Sequence, residues 1–143
     1  MRSRFLATAA IIVAAILPAS GVGAQEDPKV NCDDQLTQFD MNYCANEEYV
    51  EADTALNAAY KTVMSHMAET DKELTESMGA SYAGAVETLK KAQRAWIGYR
   101  DGQCQLSGYS ARGGSMEPML VSQCLAGLTK KRTQELKDLL TEY

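Results

Sequence analysis

The chain has 143 residues, 19 acidic and 14 basic side chains and a formal net charge of −5, a balance that argues against nucleic acid or an anionic lipid surface as partner and suits a basic one. At this length one domain with one core is expected, and four cysteines against a single histidine leave little material for a metal or triad site.

The first stretch, 1–24, reads as a secretory signal peptide. Arg2 and Arg4 precede an uncharged run from Phe5 to Leu17, and the small residues Val22, Gly23 and Ala24 fit a cleavage site. A membrane anchor needs roughly 20 apolar residues, and no other stretch qualifies. No cysteine stands just after the cleavage site to take a lipid. The expected product is exported, to the periplasm or the extracellular space, with no membrane span in the mature chain. Loss of Arg2 and Arg4 leaves twelve basic against nineteen acidic residues, a charge of −7. A short N-terminal segment, 25–36, then leads into a single helical domain, 37–143.

All four cysteines, Cys32, Cys44, Cys104 and Cys124, fall after the cleavage site, and an even count in an exported chain points to two disulfides. Their gaps do not resemble paired C-x-x-C zinc ligands, and His66 has no partner at ligand spacing. Three pairings are possible. Two local pairs flanking long helices favour Cys32 with Cys44 and Cys104 with Cys124, each closing a short loop.

The first helix is predicted to begin near Thr37, with Asp40 as an acidic residue of its first turn. Met41, Ala45, Tyr49, Ala52, Leu56, Tyr60, Val63 and Met67 follow at separations of three or four, an amphipathic stripe of about seven or eight turns. Cys32 must fold back along this helix, because a helix begun at Cys32 would separate it from Cys44 by about 18 Å of rise. The polar run Glu69 to Ala80, ending around Gly79, predicts the first break.

A second helix is expected from about Ser81 to Tyr109. Its stripe, Leu89, Gln93, Trp96, Arg100 and Cys104, mixes the only tryptophan with polar side chains that need partners. Ser107 to Ser115 makes the second break. Ser115 or Gly114 then caps a third helix with Pro118 in its first turn, and Val121, Cys124, Leu125, Leu128, Arg132, Leu136, Leu139 and Leu140 form its inner face. No segment alternates with period two. The fold class is therefore all-α: an antiparallel bundle of about three long helices stapled by two disulfides.

Asp53, Arg100 and Arg132 sit on or beside apolar stripes, and unpaired charge there is costly. The spacing predicts a polar network in which Asp53 accepts from one or both arginines, helped by Asn57, Gln93 and Thr129, with Trp96 as the core anchor. The bland alternative is that each side chain reaches solvent separately.

Five separated motifs agree in order with one family. The Cys32 and Cys44 spacing, Glu51-Ala52-Asp53-Thr54-Ala55-Leu56-Asn57-Ala58-Ala59-Tyr60, the run from Ala92 to Asp101 ahead of Cys104, Gly113-Gly114-Ser115 ahead of Cys124, and Leu128 to Leu136 together resemble the LprI-like lysozyme inhibitors. These were long catalogued as a domain of unknown function in bacterial exported proteins. The resemblance runs from about Cys32 to Leu140. It implies an exported helical protein that binds and blocks lysozyme-type muramidases, with a cationic lysozyme as partner; the acidic charge fits that partner. It does not specify which residues touch the enzyme.

Catalysis has little support in the residues. His66 lacks triad partners, and Glu47, Glu48 and Glu51 read as a solvated face. Met41, Met64, Met67, Met116 and Met119 read as gap-filling side chains. No enzyme activity, metal or cofactor is expected. The connection Ser107 to Glu117, bounded by Cys104 and Cys124, is the region freest to enter a concave cleft, and Tyr109, Arg112 and Ser115 are its candidate contacts. A plain turn is the competing reading of its glycines, and the acidic face at Glu47, Glu48 and Glu51 is the rival surface. A structural or stress-linked envelope protein is the alternative function. The sequence carries no mark of oligomeric state.

Overall fold

Thr37 and Asp40 start the first helix through a reciprocal pair of bonds. The Asp40 backbone N–H donates to the Thr37 hydroxyl at 3.1 Å, and the Thr37 N–H donates to the Asp40 carboxylate at 2.9 Å. The computed structural model describes residues 30–142, so the expected signal peptide and the first five residues of the segment behind it, 25–29, lie outside the described residues. From this cap α1 runs over Gln38–Met78, α2 over Ala85–Gly108 and α3 over Glu117–Glu142, with single 3-10 turns at Ala80–Tyr82 and Tyr109–Ala111. The described residues contain no strand, and none of their helices is long and apolar enough to cross a membrane.

The expected break at Glu69 to Ala80 is corrected: α1 continues unbroken for 41 residues and stops only at Gly79, whose φ of 106° favours glycine. Two physical reasons account for this. Thr70, Thr75 and Ser77 each donate a hydroxyl hydrogen bond to the carbonyl four residues back, so these turn-prone residues are satisfied inside the helix. Met67, Thr70 and Leu74 also extend the inward stripe, with Thr70 and Leu74 half-buried. The second helix accordingly begins at Ala85 rather than Ser81, which lies in the 3-10 turn.

No side chain of α2 or its own N-cap, Gly84, closes the start of that helix. Asp71 of α1 does so instead. Its carboxylate accepts from the backbone N–H groups of Gly84 and Ala85, both at 2.7 Å, and of Val86 at 3.1 Å. The Gly84, Val86 and Ala85 bonds hold its pKa below the ordinary 3.8. A folded pKa below the unfolded one gives a contribution present in full above the unfolded value and lost as pH falls toward the folded one. Melting temperature followed from about pH 6 to pH 3 should therefore fall more in the wild type than in Asp71→Asn, which has lost this contribution at every pH. Parallel profiles would show that the cap does not act through its charge.

The core joins Leu56, Ala59, Val63 and Met67 of α1 to Leu89 of α2 and Leu136 of α3, with Trp96 and Leu139 packed against it. α3 lies chiefly against α1. The buried centre of α3 runs through Ala126, Thr129, Thr133 and Leu136, while Val121, Leu125, Leu128, Leu139 and Leu140 are half-buried. The expected inner face is thus rotated toward small residues, and α1, the helix it chiefly packs against, likewise buries small residues, Ala45, Ala52 and Ala59. The third helix starts at Glu117, one or two residues later than a cap at Ser115 or Gly114 would place it. Its first turn holds Pro118, and Glu117 turns its carboxylate back to accept from the Gly113 N–H at 2.7 Å, where a Ser115 or Gly114 cap was predicted.

Both local disulfides form. Cys32 and Cys44 have Cα atoms 5.5 Å apart, and Cys104 and Cys124 5.3 Å apart. One turn beyond Cys104, a Cβ on Gly108 would lie 2.6 Å from Val121 Cγ2, so this glycine lets α2 and α3 close together beside the bond.

Candidate functional site

Two groupings of polar and exposed side chains stand out, one inside the bundle and one at its disulfide-bonded end. Inside, the α2 stripe places Arg100 with only 8 % of its side chain exposed. Its Nη1 donates to Asp53 Oδ1 at 3.3 Å and to Thr129 Oγ1 at 3.4 Å, and its Nε donates to Asp101 Oδ1 at 2.9 Å. The guanidinium also lies 5.1 Å from the Trp96 ring centre and 5.4 Å from that of Tyr49. Burial penalises the cation, but the hydrogen bond it donates to Asp101, the proximity of Tyr49 and the pairing with Asp53 outweigh it, so its pKa moves upward and Arg100 stays charged.

Arg132 takes a different set of partners. Its Nε donates to Gln93 Oε1 at 3.1 Å and its Nη1 to Glu135 Oε2 at 3.1 Å, and it stacks on Trp96 at 6.0 Å. Asp53 therefore accepts from Arg100 and from Asn57 Nδ2, the latter at 2.9 Å, while Arg132 forms a second cluster across the indole. The polar residues named from spacing meet in two groups with Trp96 between them. Tyr49, placed on the α1 stripe by its spacing, joins the first group, and Asp101 and Glu135 belong to these groups although the stripes did not single them out: Glu135 lies three residues from Arg132, a local signal of ion pairing, whereas Asp101 is the immediate neighbour of Arg100 and carries no such signal.

The buried side-chain atoms of these groups all have hydrogen-bond partners, and none of the groups is an activated nucleophile. His66 Nε2 is buried without a hydrogen-bond partner, and no cluster of three metal-capable side chains occurs among the described residues. The arrangement suits holding three helices in register.

At the other grouping, the connection between α2 and α3 is fastened at several points. The Cys104–Cys124 bond spans it, and Asn42 of α1 donates its amide to the Ser115 carbonyl at 3.0 Å. Arg112 pairs with Glu117 at 2.6 Å and lies 4.7 Å from the centre of the Tyr109 ring. The Gly113 N–H and then Arg112 hold the Glu117 carboxyl below its ordinary value. Tyr109, Arg112, Gly114, Ser115 and Met116 line an open depression of about 500 Å³. Tyr109 and Arg112 are exposed, yet the arginine's charge is already matched by Glu117, and Ser115 contributes its carbonyl to the tie with α1.

The same end carries the start of α1. Leu36, Phe39, Tyr43 and Val50 are exposed there in a stretch, 31–60, that contains seven acidic residues and no basic one. Glu48 reaches Lys130 of α3 at 2.6 Å, whereas Asp33, Asp34, Glu47 and Glu51 are exposed without an ion pair among the described residues. The sequence pointed to Glu47, Glu48 and Glu51 but not to the apolar side chains between them.

The described residues thus form a helical domain with two local disulfides, an internal arginine network and an exposed acidic end. The family model described as "Lysozyme inhibitor LprI" matches residues 31–136, and the chain belongs to that family. It is also 59% identical over 115 residues to an uncharacterized protein of Rhizobium meliloti (strain 1021), a match covering 80% of this chain and 82% of the relative. No solved structure matches the chain.

Proposed function

We propose that this protein is an exported inhibitor that binds a lysozyme-type muramidase and blocks it without performing chemistry of its own. The observation that carries this reading is the family match across residues 31–136. Three features support it. The chain beyond the proposed signal peptide has a charge of −7, which favours encounter with a cationic enzyme. Two disulfides suit an oxidising compartment such as the periplasm or the extracellular space. The loop around Tyr109, Arg112 and Ser115 is fixed at both ends, so little of its freedom is lost on entering a cleft.

The test is a lysozyme turbidity assay with the mature protein at low and moderate salt, against chicken-type, goose-type and invertebrate-type enzymes. Dose-dependent protection with fixed stoichiometry is expected for at least one class. No protection against any of them would return the protein to the alternative reading, a structural or stress-linked envelope component. In the same assay, the double variant Tyr109→Ala, Arg112→Ala should weaken inhibition while its melting temperature stays within a few degrees of wild type, because both side chains are exposed. Unchanged inhibition would remove the loop from the contact surface.

A further inference from the structure

On α1, Phe39, Tyr43, Glu47 and Val50 follow one another at separations of four, four and three. At 3.6 residues per turn they share an arc of about 80°, opposite the arc of Ala52, Leu56 and Ala59 that faces the core. Phe39 is 61 % exposed, Tyr43 43 % and Val50 48 %, and Leu36, just ahead of the cap, is 80 % exposed. Thus three large apolar side chains follow a line about 16 Å long on the side of the helix turned away from its own bundle, with exposed Leu36 just ahead of it. Single exposed apolar residues are ordinary; a row of them along one helix face marks an interaction surface.

The occupant follows from charge. Of the seven acidic residues in 31–60, Asp40 caps the helix, Glu48 meets Lys130 and Asp53 meets Arg100. Asp33, Asp34, Glu47 and Glu51 remain, and no lysine or arginine interrupts the stretch. A second copy of this chain would bring the same negative field against itself, whereas a basic protein surface is attracted by it. We infer that the solvent face of α1 from Leu36 to Val50 is the anchoring surface for a cationic protein partner: Phe39, Tyr43 and Val50 fill apolar recesses of the partner, and the surrounding carboxylates steer and pair with its basic side chains. Phenylalanine and tyrosine suit this role because they supply large rigid contact area. Asn42, between Phe39 and Tyr43 in sequence, ties the Ser115 carbonyl, so the disulfide-bonded loop borders this face.

This inference rests on the inhibitory reading above and takes the lysozyme inhibited in that assay as the partner. Calorimetric binding with the disulfide-bonded mature protein should show the double variant Phe39→Ser, Tyr43→Ser weakened about tenfold or more, with the melting temperature nearly unchanged. The double variant Glu47→Lys, Glu51→Lys should also bind more weakly, by a factor that shrinks as salt rises, because only its contribution is long-range. Hydrogen exchange on the wild-type complex should slow across 36–51, a readout that holds even if a variant misfolds. Wild-type affinity in the serine variant, or unchanged exchange in 36–51, would overturn the α1 surface while leaving the inhibitory reading intact. A wild-type dimer that the serine substitutions dissociate without altering lysozyme affinity would make a second copy the occupant and overturn it too. If the wild type binds none of the three lysozyme classes, both readings fall together.

Discussion

Reducing both disulfides should unfold the mature protein at or near physiological temperature. In the chain-entropy account, loops of 12 and 20 residues each restrict the unfolded chain by about 3 kcal/mol. Together that approaches about 6 kcal/mol, comparable to the whole stability of many domains of this size. The two bonds should differ in effect. Cys32 is exposed on the lead-in to α1, so its loss chiefly loosens the segment before the cap. Cys104 is fully buried beside the close approach of Gly108 to Val121, so the double variant Cys104→Ala, Cys124→Ala also disturbs the α2–α3 contact and frees the connecting loop. Thermal unfolding by circular dichroism, with and without reductant and for each pair of alanine substitutions, separates these effects. A reduced protein melting within a few degrees of the oxidised one would show that helix packing suffices. Equal losses for the two pairs would show that chain entropy alone matters.

The parts of the fold that were legible in the sequence rest on short-range rules with few alternatives. Thr37 and Asp40 are three residues apart and form the cap; Cys32 and Cys44 are brought together once the helix starts after Cys32. The Leu89, Gln93, Arg100 and Cys104 stripe is buried because α2 is covered along that line. The missed features depend on distant partners. Nothing local reveals that Asp71 caps a helix thirteen residues further on, nor that Thr70 and Leu74 gain cover that keeps α1 helical through a polar run. The inner face of α3 was drawn through its leucines, yet the tight α1–α3 contact selects Ala126, Thr129 and Thr133, whose small volume and back-bonded Thr133 hydroxyl allow it.

The disulfide-bonded end shows the same division. Glycine and serine between two cysteines marked a loop, and Tyr109 and Arg112 were visible within it. The pairing of Arg112 with Glu117 was less so, because it depends on the chain reversing at Gly113 and Gly114. The row on α1 was hidden for a different reason. Periodicity placed Met41, Ala45 and Ala52 on the inward stripe and left Phe39, Tyr43 and Val50 off it, and apolar residues off the main stripe are common on any helix. Only the exposed arc shows that they line up, and that the carboxylates share their side.

Trp96→Ala should cost about 3 kcal/mol, the low end of the range for removing a large core aromatic, because the ring is half-buried. Three losses contribute. The indole no longer packs against the cluster of Leu56, Val63, Leu89 and Leu136. Arg100 and Arg132 lose the ring that stacks with both, at roughly 0.5 to 1 kcal/mol each for such contacts when partly solvated. The two polar clusters then meet across a cavity, so the orientation of Arg100 toward Asp53 and of Arg132 toward Gln93 is no longer held from that side. Trp96→Phe keeps the packing and most of the face for the cations, and should recover more than half of the lost stability. Chemical denaturation of the two variants gives the comparison, with lysozyme affinity measured on the fraction that remains folded. A destabilised Trp96→Ala that binds as wild type when folded identifies the tryptophan as the internal joint between α2 and α3. Wild-type melting with affinity lost would instead make Trp96 a partner contact and move the binding surface from the outer face of α1 to α2.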